Sequence, residues 1–212
     1  MGCLAGSGAD EPLADRTTLF SGLLAEAIIT SGVVSQVALT WRYSAAVRQF
    51  LAAEVRRARP QGGSGRIISG ALAAPSSASL WRLERGALLD LGPHLVDLLD
   101  AALGRVAGVR AHGDPQGWIG LLLEHEGGKF SEASLFATAA AGSHRAEVEI
   151  FGPGGAAVID CAAAVDEATF ETMFAEFAAA VATGKSHELD VRRGLHLQQV
   201  IEAAETDLLA SG

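Results

Sequence analysis

Apolar positions recur with helical spacing toward both ends of this chain and with strand spacing between them. Arg16 to Ser31 reads as a helix, with Asp15 as N-cap and Gly32 as the stop. Val33 to Thr40 is a short β-rich run, and a second helix is expected from about Ser44 to Ala58. Pro60-Gln61-Gly62-Gly63-Ser64-Gly65 reads as a turn, Arg66 to Ala73 as a strand, and Pro75 to Ser79 as an exposed loop. A long apolar helix follows and ends near Gly104. Strand-like runs then come at about 105–112, 117–126, 129–138, 144–151 and 155–161, separated by glycine-rich turns such as Gly127-Gly128. That is the pattern of an antiparallel meander. Two helices, near 167–183 and 191–210, close the chain, with Gly184 between them and Asp190 as a cap. Strands in a run with helices at both ends make the fold class α+β.

The long helix carries the chemistry. Within Gly86–Asp100, Asp90, His94 and Asp97 sit at i, i+4 and i+7 among Leu88, Leu89, Leu91 and Leu95. At ~100° per residue the three fall within roughly 60° on one face. A charged stripe on an apolar helix is unfavourable unless it pairs, binds something or lines a cleft. Asp90 and His94 are read as lining a cleft, with Asp97 a turn deeper or on the rim. Asp97 and Asp100 also fit a solvated face. Pro93 either kinks the helix or starts it; in the second case His94 lies in the first turn, where the helix dipole favours a neutral imidazole.

Composition narrows the partners. A net charge of −9 argues against a nucleic-acid backbone, and Arg56, Arg57 and Arg59 form the one small basic cluster. Cys3 and Cys161 are too few for a disulfide framework or a zinc site, which fits a reducing cytoplasm. The first residues lack the charged and apolar regions of a signal peptide, and no apolar run reaches membrane-spanning length. No metal site, nucleic acid or membrane is expected.

The stretch around His94 resembles the Asp-x-Gly-x-His-x-x-Asp segment of the glucose–fructose oxidoreductase, inositol dehydrogenase and rhizopine-catabolism (Gfo/Idh/MocA) family. Gln36 to Val47 resembles that family's last dinucleotide-domain strand and the crossover after it. Gly65-Arg66-Ile67-Ile68 resembles the start of its first sheet strand, and Phe174, Phe177 and Asp190 to Leu195 resemble its closing helices. The resemblance implies an open, mostly antiparallel sheet with helices on one face, acting as a sugar or polyol domain. It implies His94 as acid/base with Asp90 beside it; Asp97, by its spacing, and Arg42 and Trp81 are further candidates for the substrate pocket. Arg42 and Trp81 read first as an ordinary surface arginine and a core aromatic. Residues 1–40 are the expected remnant of a dinucleotide-binding domain and 41–212 the substrate and oligomerisation domain. A homo-oligomer through the uncovered sheet face is expected, carried by Val148, Ile150 and Val158 or their alternates.

The family's cofactor is NAD or NADP, cradled on a Gly-x-Gly-x-x-Gly turn. Here only Gly6-Ser7-Gly8 approaches it, and Glu11 stands where the family's lysine should be. No cofactor is expected to bind this chain alone. Lys129 and Lys185, the remaining lysines, are not expected to reach the motif helix. Glu124-His125-Glu126 and Ser143-His144-Arg145 read as exposed strand positions, with His125 pointing away from the two acids. His187 and His196 have no partner at ligand spacing. Three readings compete: a truncated oxidoreductase-like protein inactive alone or serving as a scaffold, a subunit of a split dehydrogenase, and a non-redox lyase or hydrolase using Asp90 and His94.

Overall fold

The computed structural model describes residues 13–70, 72–73, 80–140 and 142–211, except for the side chains of 13–19, 80–85 and 211. In chain order they form α1 (Leu13–Ser31), a 3-10 turn (Thr40–Tyr43), α2 (Ala45–Gln49), a π-helical segment (Phe50–Val55) and α3 (Arg56–Ala58). β1 (Gly62–Ile68) and α4 (Leu80–Leu103) follow, then β2 (Val106–Gly113), β3 (Trp118–His125), β4 (Lys129–Phe136), β5 (Arg145–Gly152) and β6 (Gly155–Asp160). α5 (Glu167–Thr183) and α6 (Val191–Ser211) end the chain.

The α+β class stands, and β2 to β6 lie where the alternation of side chains places them. The sheet order is β2-β3-β4-β1-β5-β6, antiparallel except for the β1–β4 pair. So the five later strands are not one continuous meander: β1 divides them. The strand expected from Arg66 to Ala73 runs instead from Gly62 to Ile68, because Gly62-Gly63-Ser64-Gly65, which reads as a turn, is its first half. Helix packing explains the composition. A Cβ on Gly63 would meet Ile150 Cδ1 at 2.7 Å, and one on Gly65 would meet Leu95 Cδ1 at 2.6 Å. Bare backbone lets α4 lie close on the strand.

Two further expectations are corrected. Val33 to Thr40 forms no strand. Val37 N–H bonds the Leu189 carbonyl instead, and β-rich residues without a neighbouring ladder do not make a strand. Asp15 lies inside α1 and is not its cap.

Val148 and Ile150, expected on the open face, are fully buried under α4. Alternation then puts Glu147, Glu149 and Phe151 on the open face. That face carries Trp118, Leu122, Phe130, Phe151 and Val158, each 46–59% exposed, around a polar centre of Ser64, Arg66, Glu132, Ser134, Glu147 and Glu149. The opposite face holds Ile119, Leu121, Leu123, Leu135, Val148 and Ile150 against Leu95, Leu99 and Leu103 of α4 and Ile201 of α6. No described helix is long and apolar enough to cross a membrane.

Candidate active site

α4 is two helical runs joined at Gly86, whose φ of 66° and ψ of −163° interrupt the helix. The second run starts at Ala87, so Pro93 is interior to it and His94 is not in its first turn. Pro93 therefore does not start the run, and the interruption in α4 lies at Gly86; the ring removes the bond to the Leu89 carbonyl and the helix runs on through it. Leu88, Leu95, Leu98, Leu99 and Leu103 turn toward the core, and Asp90, His94 and Asp97 occupy another face.

His94 is half-buried, and its ring lies 5.8 Å from that of Trp41 at a 55° tilt. Burial lowers its proton affinity below the ordinary imidazole value, against the upward pull of Asp90 and Asp97. The ring is therefore neutral at pH 7 and able to accept a proton. Asp90, also half-buried, lies one turn before it. Trp81 lies in α4, with its side chain outside the described residues.

Asp97 and Asp100 are not a solvated face; they are 1% and 6% exposed. Arg193 reaches both from α6. Its Nε donates to Asp97 Oδ1 at 2.6 Å, one Nη to the Asp97 carbonyl at 3.1 Å, and the other Nη to Asp100 Oδ2. His196 Nε2 lies 2.9 Å from Asp100 Oδ1, which also accepts from Val106 N–H at 2.6 Å. Burial alone would raise Asp100, but these bonds outweigh it and hold the carboxyl at about 2. Arg42 joins the group, 3.3 Å from Asp97 and 3.5 Å from Glu188. Two expected site residues, Arg42 and Asp97, thus come together as a buried ion pair. The partners supplied by α6 were missed. Their one signal is that Arg193 and His196, like Asp97 and Asp100, stand at i, i+3 spacing.

Arg42 also borders an open cleft of about 770 Å³ with Arg48, Lys185, His187 and Glu188. Arg48 grips Glu176 at 2.7 and 2.9 Å and holds its carboxyl below the usual range. His187 stacks on Tyr43 and approaches Glu176 at 3.2 Å. Lys129 reaches the motif helix after all, since its Nζ donates to the Leu103 carbonyl at 2.9 Å. This is the end of α4 far from His94. His125 faces away from its flanking acids as expected, but into the core rather than a solvated hairpin. Its Nδ1 lies 2.6 Å from the Gly104 carbonyl and its Nε2 2.8 Å from Ser131 Oγ. Burial pushes the Cys161 thiol up to about 12, which makes it a poor nucleophile. Among the described residues no group of His, Cys, Asp or Glu is placed to hold a metal ion.

A nicotinamide cofactor needs a strand, a glycine turn and a helix N-terminus around its pyrophosphate. The described residues do not provide this unit. The glycine-rich run in β1 is strand interior, and those at 127–128 and 152–155 join antiparallel strands and lead into no helix, while Gly6-Ser7-Gly8 and Glu11 lie outside the described residues. The described residues do not fit that group.

No protein-family model matches the sequence, and no curated protein matches it either. Solved structures do. GenD2 from gentamicin A biosynthesis, in complex with NAD, superposes with a TM-score of 0.74 at 19% identity over 92% of this chain and 67% of that one. Levoglucosan dehydrogenase, in complex with NADH and levoglucosan, gives 0.79 at 17% identity over 93% and 70%. An oxidoreductase domain protein from Kribbella flavida gives 0.73 at 19% identity over 94% and 70%. The resemblance read from the sequence holds in the fold: this chain has the fold of the Gfo/Idh/MocA-type oxidoreductases.

Proposed function

We propose that residues 41–212 form the sugar- or polyol-binding half of a Gfo/Idh/MocA-type oxidoreductase, with residues 1–40 the margin of a dinucleotide-binding half. In this reading the chain acts in the cytoplasm and does no redox chemistry alone. The observation that carries it is His94, a neutral half-buried imidazole held against Trp41 with Asp90 one turn away. Such a ring accepts the proton of a sugar hydroxyl, and a carboxylate at Asp90 orients that hydroxyl. Levoglucosan dehydrogenase, which shares the fold, has been seen with levoglucosan and with L-sorbose; the same class of ligand fits this reading.

Calorimetric titration tests it. The chain should bind levoglucosan or L-sorbose saturably and NAD not measurably. His94→Ala should weaken the sugar by roughly tenfold or more while the unfolding midpoint stays put. No sugar binding, undiminished binding in the variant, or a low-micromolar NAD constant would overturn the proposal.

A second reading, the split dehydrogenase, draws on α1. Phe20, Leu23 and Leu24, at i, i+3 and i+4, are 56–76% exposed, and Val33 beyond the helix is 62% exposed. An apolar helix face turned to solvent fits a cofactor-binding half supplied by another chain. In both readings the open sheet face joins two copies through Trp118, Leu122, Phe130, Phe151 and Val158. Light scattering at micromolar concentration should show a dimer or larger species; a stable monomer counts against that interface.

A further inference from the structure

We propose that Arg193 and Arg42 are positioning residues for His94, acting through the Asp97 carboxylate that they hold one turn along the same helix face. This inference rests on the reading of His94 as the proton-accepting group. Arg193 comes from α6 and Arg42 from the 3-10 turn, so Asp97 is fixed from two independent elements. The neighbour of Arg42 in that turn is Trp41, whose ring lies against His94. One short turn therefore grips adjacent levels of α4, the imidazole with Trp41 and the carboxylate with Arg42. The grip falls just beyond Pro93, where the missing N–H removes one of the helix's own bonds. Arg193 adds a bond to the Asp97 backbone carbonyl, which ties the helix as well as the side chain.

The charged groups that act on the ring are Asp90 and Asp97 from α4; Arg42 from the 3-10 turn and Arg193 from α6 lie behind Asp97, with Glu188 behind Arg42 and His196 beyond Asp100. Asp97 at i+3 favours the imidazolium, and the two guanidiniums paired with it carry the opposite charge, so in this proposal they offset part of that pull. Removing the carboxylate and removing a guanidinium should therefore move His94 in opposite directions. A clamp that holds the helix without a field at the ring predicts no such opposition.

The experiment is an NMR titration of the His94 ring protons in the isolated chain, assigned with His94→Gln. Asp97→Asn should lower the titration midpoint, and Arg193→Met should raise it, each by roughly half a pH unit or more. Arg42→Gln should also raise it, and it decides together with Asp97→Asn if Arg193→Met does not fold. Midpoints that stay at the wild-type value, or that move in the same direction in the aspartate and arginine variants, overturn the proposal. Because no ligand is used, that failure is distinct from a failure of the sugar-binding reading.

Discussion

Replacing Asp100 with alanine is expected to lower the unfolding free energy by about 3–5 kcal/mol, because it breaks a buried ion pair from one side. The carboxylate accepts bonds from Arg193, His196 and the Val106 N–H, and all three donors lose it together. Arg193 would keep Asp97 but remain buried with half its fork unfilled, and an unpartnered buried donor is costly. Urea denaturation reads the loss directly; a midpoint within error of wild type would refute the assignment of Asp100 as a keystone of the α4–α6 contact. The same group sets an acid limit. Its folded value is about 2 against an ordinary 3.8, so the stabilisation is complete above the ordinary value. It is lost as pH falls from there through 2, and it amounts to about 2 kcal/mol. Asp100→Asn should flatten that part of the pH–stability curve.

Gly86→Ala should cost about 3 kcal/mol or more. At φ 66° and ψ −163° the backbone is in a region that only glycine adopts without strain. A Cβ there would also overlap the Pro115 carbonyl oxygen. Strain and overlap act at one atom, and neither is relieved by turning a side chain. Thermal and chemical denaturation would show the effect. A loss below about 1 kcal/mol, the usual helix difference between glycine and alanine in reverse, would mean that the break at Gly86 is not required. The functional consequence lies downstream, since this break lets the second run of α4 start at Ala87 and aim His94.

Much of this arrangement is legible in the sequence where a local period expresses it. Strands such as Trp118–His125 and Arg145–Gly152 alternate strictly because one face packs on α4. α5 shows its capping box at Asp166 and Thr169 and its glycine stop at Gly184. The first half of β1 is illegible for the opposite reason, since its core-facing positions are glycines and the strand pattern begins only at Arg66. His94 and Asp90 stand out as polar residues on an apolar helix. The clamp on Asp97 and Asp100 does not, because its other half lies in α6 and only the folded chain brings the two together. Half of the polar stripe turns inward to arginine.

The glycines of β1 set the height of the proposed proton acceptor above the sheet. Leu95 rests on Gly65, and His94 is the residue before it, about 100° around the helix. The strand therefore works like a shim under a bearing: a Cβ at position 65 meets Leu95 Cδ1 at 2.6 Å, and what the Leu95 side chain does not absorb by turning moves the helix and the imidazole with it. A shift of about 1 Å at a reacting group is enough to lose roughly a hundredfold in rate. Glycine at position 65 is thus part of the tolerance of the site, although it touches nothing that reacts.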